Sequence, residues 1–232
     1  MKLGLLGDIH GNALALEAVL ASVSELGVDR LLITGDLVGY YFQPEKVLDL
    51  LSKWNHIIVR GNHEDMLASI RMDSTSLPKI EAKYGIGLRL ALEQLSTTQL
   101  DTLTNLPMTK YIEIDRCNLL LCHGSPWDTD KYIYPDASEE IIEKCASVDA
   151  DIVIMGHTHY PMSREIDSTL LVNPGSVGQP RNKRPGAAWA ILDTEKKDVT
   201  FRNENYNIQS VVNEAVRRQP NLPYLAEVLV RT

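Results

Sequence analysis

Five short polar blocks, each set directly after an apolar run, constrain this chain more than anything else in it. They are Gly7-Asp8-Ile9-His10-Gly11-Asn12, Gly35-Asp36, Gly61-Asn62-His63-Glu64, His123-Gly124 and Gly156-His157-Thr158-His159. Together they hold five of the six histidines and leave only His56 outside. The runs before them, Leu3–Gly7, Arg30–Thr34, His56–Arg60, Asn118–Cys122 and Ile152–Met155, read as buried strands. A chain of this kind must gather its strand ends at one edge of a sheet, where open α/β folds keep their ligand crevice.

The segments between the blocks support that reading. Ala13–Leu26 has helical spacing through Leu16, Val19, Leu20 and Val23, with Gly27 as a stop. Pro44–Lys53 reads as a second helix with proline in its first turn. The resulting β-α-β-α-β order implies a largely parallel sheet. Residues Asp65 to about Leu106 interrupt the rhythm. Ile80–Leu95 and Thr98–Leu106 carry helical spacing, and Leu77-Pro78 is expected to break the chain before them. This stretch is expected to be a helical insertion, either over the site or packed as a peripheral helix pair. After Pro107 the texture changes. Lys110–Ile114 and Asn118–Cys122 suggest an antiparallel pair across Asp115-Arg116-Cys117. Ser138–Ala146 reads as a helix capped by Ser138. Thr169–Val172, Ala187–Leu192 and Val199–Asn203 read as strands, and two helix-like fragments split by Pro220 and Pro223 close the chain. The span 1–232 is expected to form one domain.

Composition narrows the classes. Apolar residues at 44% and charged residues at 23% are ordinary for a protein with a sizeable core. A formal charge of −8 argues against non-specific binding to nucleic acid or an anionic membrane. It does not argue against an anionic substrate, because bound dications make a site locally positive. Met1–Leu6 is too short for a signal core, and no stretch approaches the roughly 18 apolar residues of a membrane helix. Cys117, Cys122 and Cys145 are odd in number and irregularly spaced, which suits reduced thiols and a cytoplasmic location.

The blocks supply carboxylate, amide and imidazole donors in numbers suited to two metal ions. Two ions about 3.5–4 Å apart are a known device for in-line displacement at phosphorus. This donor set suits Mn²⁺, Fe²⁺, Co²⁺, Ni²⁺ or Zn²⁺. Cys122 precedes His123, but on an alternating strand it points away and reads as a buried structural thiol.

In their order, GDIHGN, GD, GNHE, HG and GHTH over positions 7 to 159 resemble the blocks of the calcineurin-like metallophosphoesterases. Asn173-Pro174-Gly175-Ser176-Val177-Gly178 also resembles the bacterial and archaeal branch of small phosphoesterases and phosphodiesterases in that superfamily. The resemblance implies a four-layer α/β/β/α sandwich with a dinuclear site at the carboxyl ends of the central strands. One ion would be held by Asp8, His10, Asp36 and His159. The other would be held by Asp36, Asn62, His123 and His157, with Asp36 bridging. The implied reaction is attack on phosphorus by a water deprotonated between the ions, with His63 catalytic at the leaving oxygen. The implied substrate is a small phosphodiester or a nucleotide.

Departures from the serine/threonine phosphatases of the same superfamily matter here. Those resemble this chain at GDIHG and GNHE but carry an Asp and an Arg in a pattern like GDxVDRG, where this chain has Gly39 and Tyr40. Phosphoprotein substrates are therefore disfavoured. A dinucleoside-polyphosphate hydrolase would differ in substrate only. A non-catalytic binding scaffold would show a broken ligand set, and this one is intact. Several residues stay open between two roles. Tyr40 and Tyr41 either line the substrate pocket or are packed aromatics. Arg181, with Lys183 and Arg184, either holds a second phosphate or belongs to a solvated basic loop, the commoner case. Trp127 is a candidate rim residue. Glu64 reads as a first-turn helix acid favoured by the macrodipole.

Overall fold

A computed structural model describes all residues, Met1–Thr232. β1 (Lys2–Leu6), α1 (Ala13–Glu25), β2 (Arg30–Ile33), α2 (Pro44–Leu51) and β3 (His56–Ile58) follow the expected alternation. β1 pairs with β2 and β2 with β3, both in parallel. The Asn12 side chain caps α1 by accepting the Ala15 N–H at 3.2 Å. Pro44 opens α2, where its missing N–H would have no helical partner anyway.

The helical stretch begins earlier than its spacing predicts. α3 (Asn62–Met72) starts inside the third polar block, because Glu64 turns back to accept the Gly61 N–H and closes the first turn. Leu77-Pro78 does not break the chain. It opens α4 (Leu77–Tyr84), with the proline in the first turn. The single helix expected over Ile80–Leu95 is two, α4 and α5 (Gly87–Gln94), because Gly85 takes φ +78° and ends the first. α6 (Thr97–Thr104) is held by a capping box between Ser96 and Gln99.

β4 (Thr109–Ile114) and β5 (Cys117–Cys122) form the expected antiparallel hairpin. α7 (Glu139–Ala146) follows Ser138, which holds the cap position but makes no side-chain cap bond. β6 (Ile152–Ile154), β7 (Met162–Ile166) and β8 (Thr169–Asn173) complete a sheet of order β4-β5-β6-β8-β7. β7 has no counterpart in the sequence reading. It lies at the sheet edge, and its polar middle, Ser163-Arg164-Glu165, hides the apolar signal of a strand. β9 (Ala187–Asp193) and β10 (Asp198–Glu204) return to the first sheet, giving β10-β9-β1-β2-β3. α8 (Ile208–Arg218) and α9 (Tyr224–Glu227) end the chain.

Alternation along the strands builds the layers. Leu3, Leu5, Leu32 and Ala190 meet Leu119, Leu121, Ile152 and Ile154 in an apolar seam between the two sheets. Leu6, Leu31, Ile33 and Trp189 face the other way, onto α1, α2, α3, α5 and α6. Leu120, Cys122 and Val153 pack outward with Ile142 and Cys145 of α7. The result is the four-layer α/β/β/α sandwich. Tyr40, Tyr41 and Phe42 sit apart from these layers, under α8 and α9. No helix is long and apolar enough to cross a membrane.

Candidate metal centre

Five strand ends deliver the donors. Asp8 and His10 follow β1, Asp36 follows β2, Asn62 opens α3 just beyond β3, His123 follows β5, and His157 and His159 follow β6. The loops that carry them are backbone-strained. Asp8, His10 and Asp36 have φ of 52°, 52° and 53°, and His157 and His159 have 66° and 63°. A non-glycine residue in this left-handed region costs about 1–2 kcal/mol. Strain of this kind clusters where the surrounding structure fixes a functional geometry. Apart from Tyr40 at φ 51°, the other non-glycine cases (Asp115, Arg116, Asp167, Lys183 and Lys197) lie outside these blocks.

Each imidazole is oriented by a backbone carbonyl. Nδ1–H of His10, His123 and His159 donates to the carbonyls of Val38 (3.2 Å), Thr34 (2.7 Å) and Gln179 (2.6 Å). His157 is reversed, with Nε2–H donating to the Asp130 carbonyl at 3.2 Å. A carbonyl only accepts, so in each neutral ring the proton sits on the outer nitrogen and the lone pair points inward. These inward atoms crowd together. His10 Nε2 and His159 Nε2 are 3.1 Å apart, and His123 Nε2 and His157 Nδ1 are 3.2 Å apart. Asn62 Oδ1 is 3.1 Å from His123 Nε2, and Asp8 Oδ1 is 3.3 Å from His159 Nε2. Asp36 Oδ2 stands 3.6 Å from His10 Nε2 and 3.4 Å from His123 Nε2. Donor atoms about 2.1 Å from one ion lie roughly 3.0–3.4 Å apart across the edges of its coordination shell. In the neutral rings, lone pairs face each other at these spacings, an arrangement that fits a cation. Asp8, His10 and His159 form one such group and Asp36, His123 and His157 a second, while His10, Asp36 and His63 form a third that shares a residue with each.

The electrostatics agree. None of Asp8, His10, Asp36, His123, His157 and His159 is more than 3% exposed. Burial pushes His10 and His159 well below the usual imidazole range and His157 to about 3, which keeps their lone pairs free. Burial also opposes charge on Asp36, yet the adjacent His123 and His63 hold its carboxyl well below the ordinary range. Asp8 moves up, through burial and then the Asp36 charge. At His123 burial is outweighed by the Asp36 carboxylate, and the imidazole is raised to about 9.

His63 borders both groups without belonging to the carbonyl-oriented set. Its N–H donates to Asp36 Oδ1 at 2.9 Å, and its ring packs against those of His10, Tyr40 and Tyr84 at 4.7, 4.9 and 5.3 Å. Its Nδ1 has no partner and is shut in against Gly39, where any Cβ would overlap it. Position 39 also has φ +90°, so glycine is required there on two counts. A proton on Nδ1 would be a buried orphan, so the neutral ring carries it on Nε2, the nitrogen left to face the pocket. The pocket itself is a cavity of about 10 Å³. Beyond the donors and His63 it is walled by Tyr40, Tyr84, Tyr132 and Arg181. Arg181 has no carboxylate partner. It donates to Tyr40 Oη at 3.1 Å and Gln179 Oε1 at 3.0 Å, and its Nε is buried and unpartnered.

Comparison with known proteins decides the family. Residues 1–197 match the family model described as the calcineurin-like phosphoesterase superfamily domain. The chain belongs to that superfamily. It is a metal-dependent phosphoric ester hydrolase. The phosphodiesterase YfcE of Escherichia coli is 25% identical over 224 residues, covering 91% of this chain and 97% of its own. A metallophosphoesterase from Sphaerobacter thermophilus superposes with a TM-score of 0.81 at 27% identity, over 100% of this chain and 99% of that one. The hypothetical protein PH1004 from Pyrococcus horikoshii shares the fold with a TM-score of 0.86 at 22% identity, over 99% and 98% of the two chains.

Several sequence expectations for this phosphoesterase need correction. Glu64 is in the first turn of α3, but it is fully buried and accepts the N–H groups of Gly61, Asp36, Leu37 and Val38, so it ties the second block to the third. Trp127 is not among the residues lining the pocket, and it packs half-buried with the α7 layer under the Lys144 ammonium, 4.0 Å from its ring centroid. The two tyrosines divide. Tyr40 lines the pocket, while Tyr41 is buried and donates to the Leu225 carbonyl. Arg181 enters the pocket, whereas Lys183 and Arg184 are exposed and outside it. Cys122 faces the outer layer, as alternation requires. The helical stretch reaches the site through Tyr84 at the end of α4. Asn173 and Ser176 of the downstream motif brace the loops from behind: Asn173 donates to the Gly156 carbonyl and Ser176 to that of Asp8. Tyr84, Tyr132 and the four orienting carbonyls went unread, since nothing local marks them.

Proposed function

We propose that this phosphoesterase is a two-metal phosphodiesterase acting on a small phosphodiester or nucleotide. The observation that carries the reading is the pair of lone-pair clusters meeting at Asp36. Asp8, His10 and His159 would hold one divalent ion and Asn62, His123 and His157 the other, with Asp36 shared. Mn²⁺, Fe²⁺, Co²⁺, Ni²⁺ and Zn²⁺ all suit this donor set. Once bound, such a pair of ions would activate water and neutralise phosphoryl oxygens.

The chain's own groups account for the rest. His63, lowered to about 4 mainly by burial, is neutral at physiological pH, so its Nε2–H would bond the leaving oxygen rather than deliver charge. Arg181 keeps its charge and lacks an acid, which makes a phosphate oxygen its natural partner. Tyr40 Oη holds that guanidinium in place. The tyrosine-ringed mouth suits a small ester better than a segment of folded phosphoprotein, and Gly39 and Tyr40 stand where the protein phosphatases carry their Asp and Arg. The three buried free cysteines suit a reducing compartment.

The test is hydrolysis of a chromogenic phosphodiester against its monoester, with Mn²⁺ and with chelator, for wild type and His63→Ala. The expected result is metal-dependent diester turnover that collapses in the variant. Preference for the monoester would move the substrate class to phosphatases, and no turnover with any of the five metals would overturn the reading.

A further inference from the structure

The segment after His123 carries an aromatic ledge that the reaction at the metal centre does not use. Ile133 is anchored in the outer core at 2% exposure, while its neighbours Tyr132 and Tyr134 are 43% and 40% exposed. The two rings stack nearly parallel, at 14° and 5.7 Å between centroids. The inner ring lies on His157 at 3.9 Å and forms part of the pocket wall. The outer one is braced edge-on by Tyr160 at 5.8 Å. A continuous π surface therefore leads from a candidate metal ligand to open solvent.

Two further facts say what could lie on it. The cavity at the donors is about 10 Å³, so the bulk of any ester must extend outward from its phosphate. The ledge segment bears Asp128, Asp130 and Asp136 against Lys131, with the Asp130 carboxylate 3.4 Å from His157 Nε2. A polyphosphate laid along it would be repelled, whereas an uncharged base would not.

We propose that Tyr132 and Tyr134 form a stacking platform for the base of a nucleoside phosphodiester whose phosphate sits at the metal centre beside Arg181. This assignment rests on the phosphoesterase reading above and narrows its substrate to nucleosidic esters. Base–aromatic stacking is tolerant of base identity, so purines and pyrimidines should both be accepted.

The experiment compares thymidine p-nitrophenyl phosphate with methyl p-nitrophenyl phosphate under saturating Mn²⁺, in wild type, Tyr134→Leu, Tyr134→Phe and Tyr132→Leu. The leaving group is common to both esters, so the ratio of their kcat/KM values isolates the nucleoside. The ratio is expected to be on the order of tenfold in wild type, mostly through KM, to fall toward unity in the leucine variants and to be kept by phenylalanine. A ratio near unity in wild type, or one unchanged by leucine, overturns the platform. If neither ester turns over with any metal, the phosphodiesterase reading fails, and calorimetric titration with thymidine monophosphate decides the platform separately. Binding that Tyr134→Leu abolishes and Tyr134→Phe restores supports it, and absent or unaltered binding overturns it.

Discussion

At Asp36 one carboxylate oxygen faces the inward nitrogens of His10 and His123 while the other accepts the His63 N–H at 2.9 Å. A single side chain thus joins both donor groups and seats the candidate catalytic histidine. Asp36→Asn keeps the shape and removes the charge. It is expected to fold, to bind at most one ion per chain by elemental analysis, and to lose turnover on the order of a hundredfold or more. His63→Ala should separate the roles, with metal content unchanged and kcat down about 10²–10⁴-fold. Gly39→Ala is the more discriminating change, since it touches no donor. Its methyl group overlaps His63 Nδ1 and its backbone must hold φ +90°. Displacement of the ring should bring its kcat toward that of His63→Ala with metal retained. Full activity in Gly39→Ala would show that the ring is not held where the reaction needs it.

Between elements, Glu64 does what none of the blocks revealed. Its carboxylate reaches from α3 to the loop after β2 and accepts N–H groups from Asp36 (2.8 Å), Leu37 (2.9 Å) and Val38 (3.4 Å), as well as Gly61 (2.9 Å). Glu64→Ala would strand these buried amides. The expected loss is about 3–5 kcal/mol, read as a lower urea midpoint at unchanged slope, and a cost under about 1 kcal/mol would refute the linchpin role. Glu64 sits in the first helical turn that its sequence position predicts, but this span is not legible locally, because three of its partners lie 26 to 28 residues away. The same contrast runs through the fold. The strands that end in donors were legible because an apolar run followed by Asp, Asn or His is a local signal. The break between α4 and α5 depends on Gly85 adopting positive φ, and β7 is an edge strand with a polar middle, so neither shows in apolar periodicity. The donor identities were local too, whereas the carbonyls that set their tautomers are tertiary.

Over the whole molecule, two sheets bring two buried carboxylates and four inward-facing imidazoles into one small volume, which is an electrostatic load until cations share it. Metal should therefore stabilise the fold as well as serve the reaction. Each ion held at about a hundred times its dissociation constant adds roughly 2.7 kcal/mol, about 5.4 kcal/mol for the pair. For a chain of this size each kcal/mol is worth about 2–4 °C, so chelation should lower Tm by roughly 10–20 °C, reversibly on adding Mn²⁺. The gain must also depend on pH, with a definite sign. Burial opposes charge on His123, but Asp36 raises its imidazole to about 9, so the metal-free chain keeps a proton there at neutral pH. Metal needs the unprotonated nitrogen and must expel that proton, so apparent affinity climbs as pH rises toward about 9 and gains nothing more from this group above it. The Mn²⁺-induced rise in Tm should accordingly be smaller near about pH 6 than near about pH 8. Calorimetric titration at about pH 7 in buffers of different ionisation heat should register net proton release on metal binding. A Tm indifferent to chelator at both pH values would mean that the clustered donors are satisfied without metal, and the two-ion assignment would fall with it.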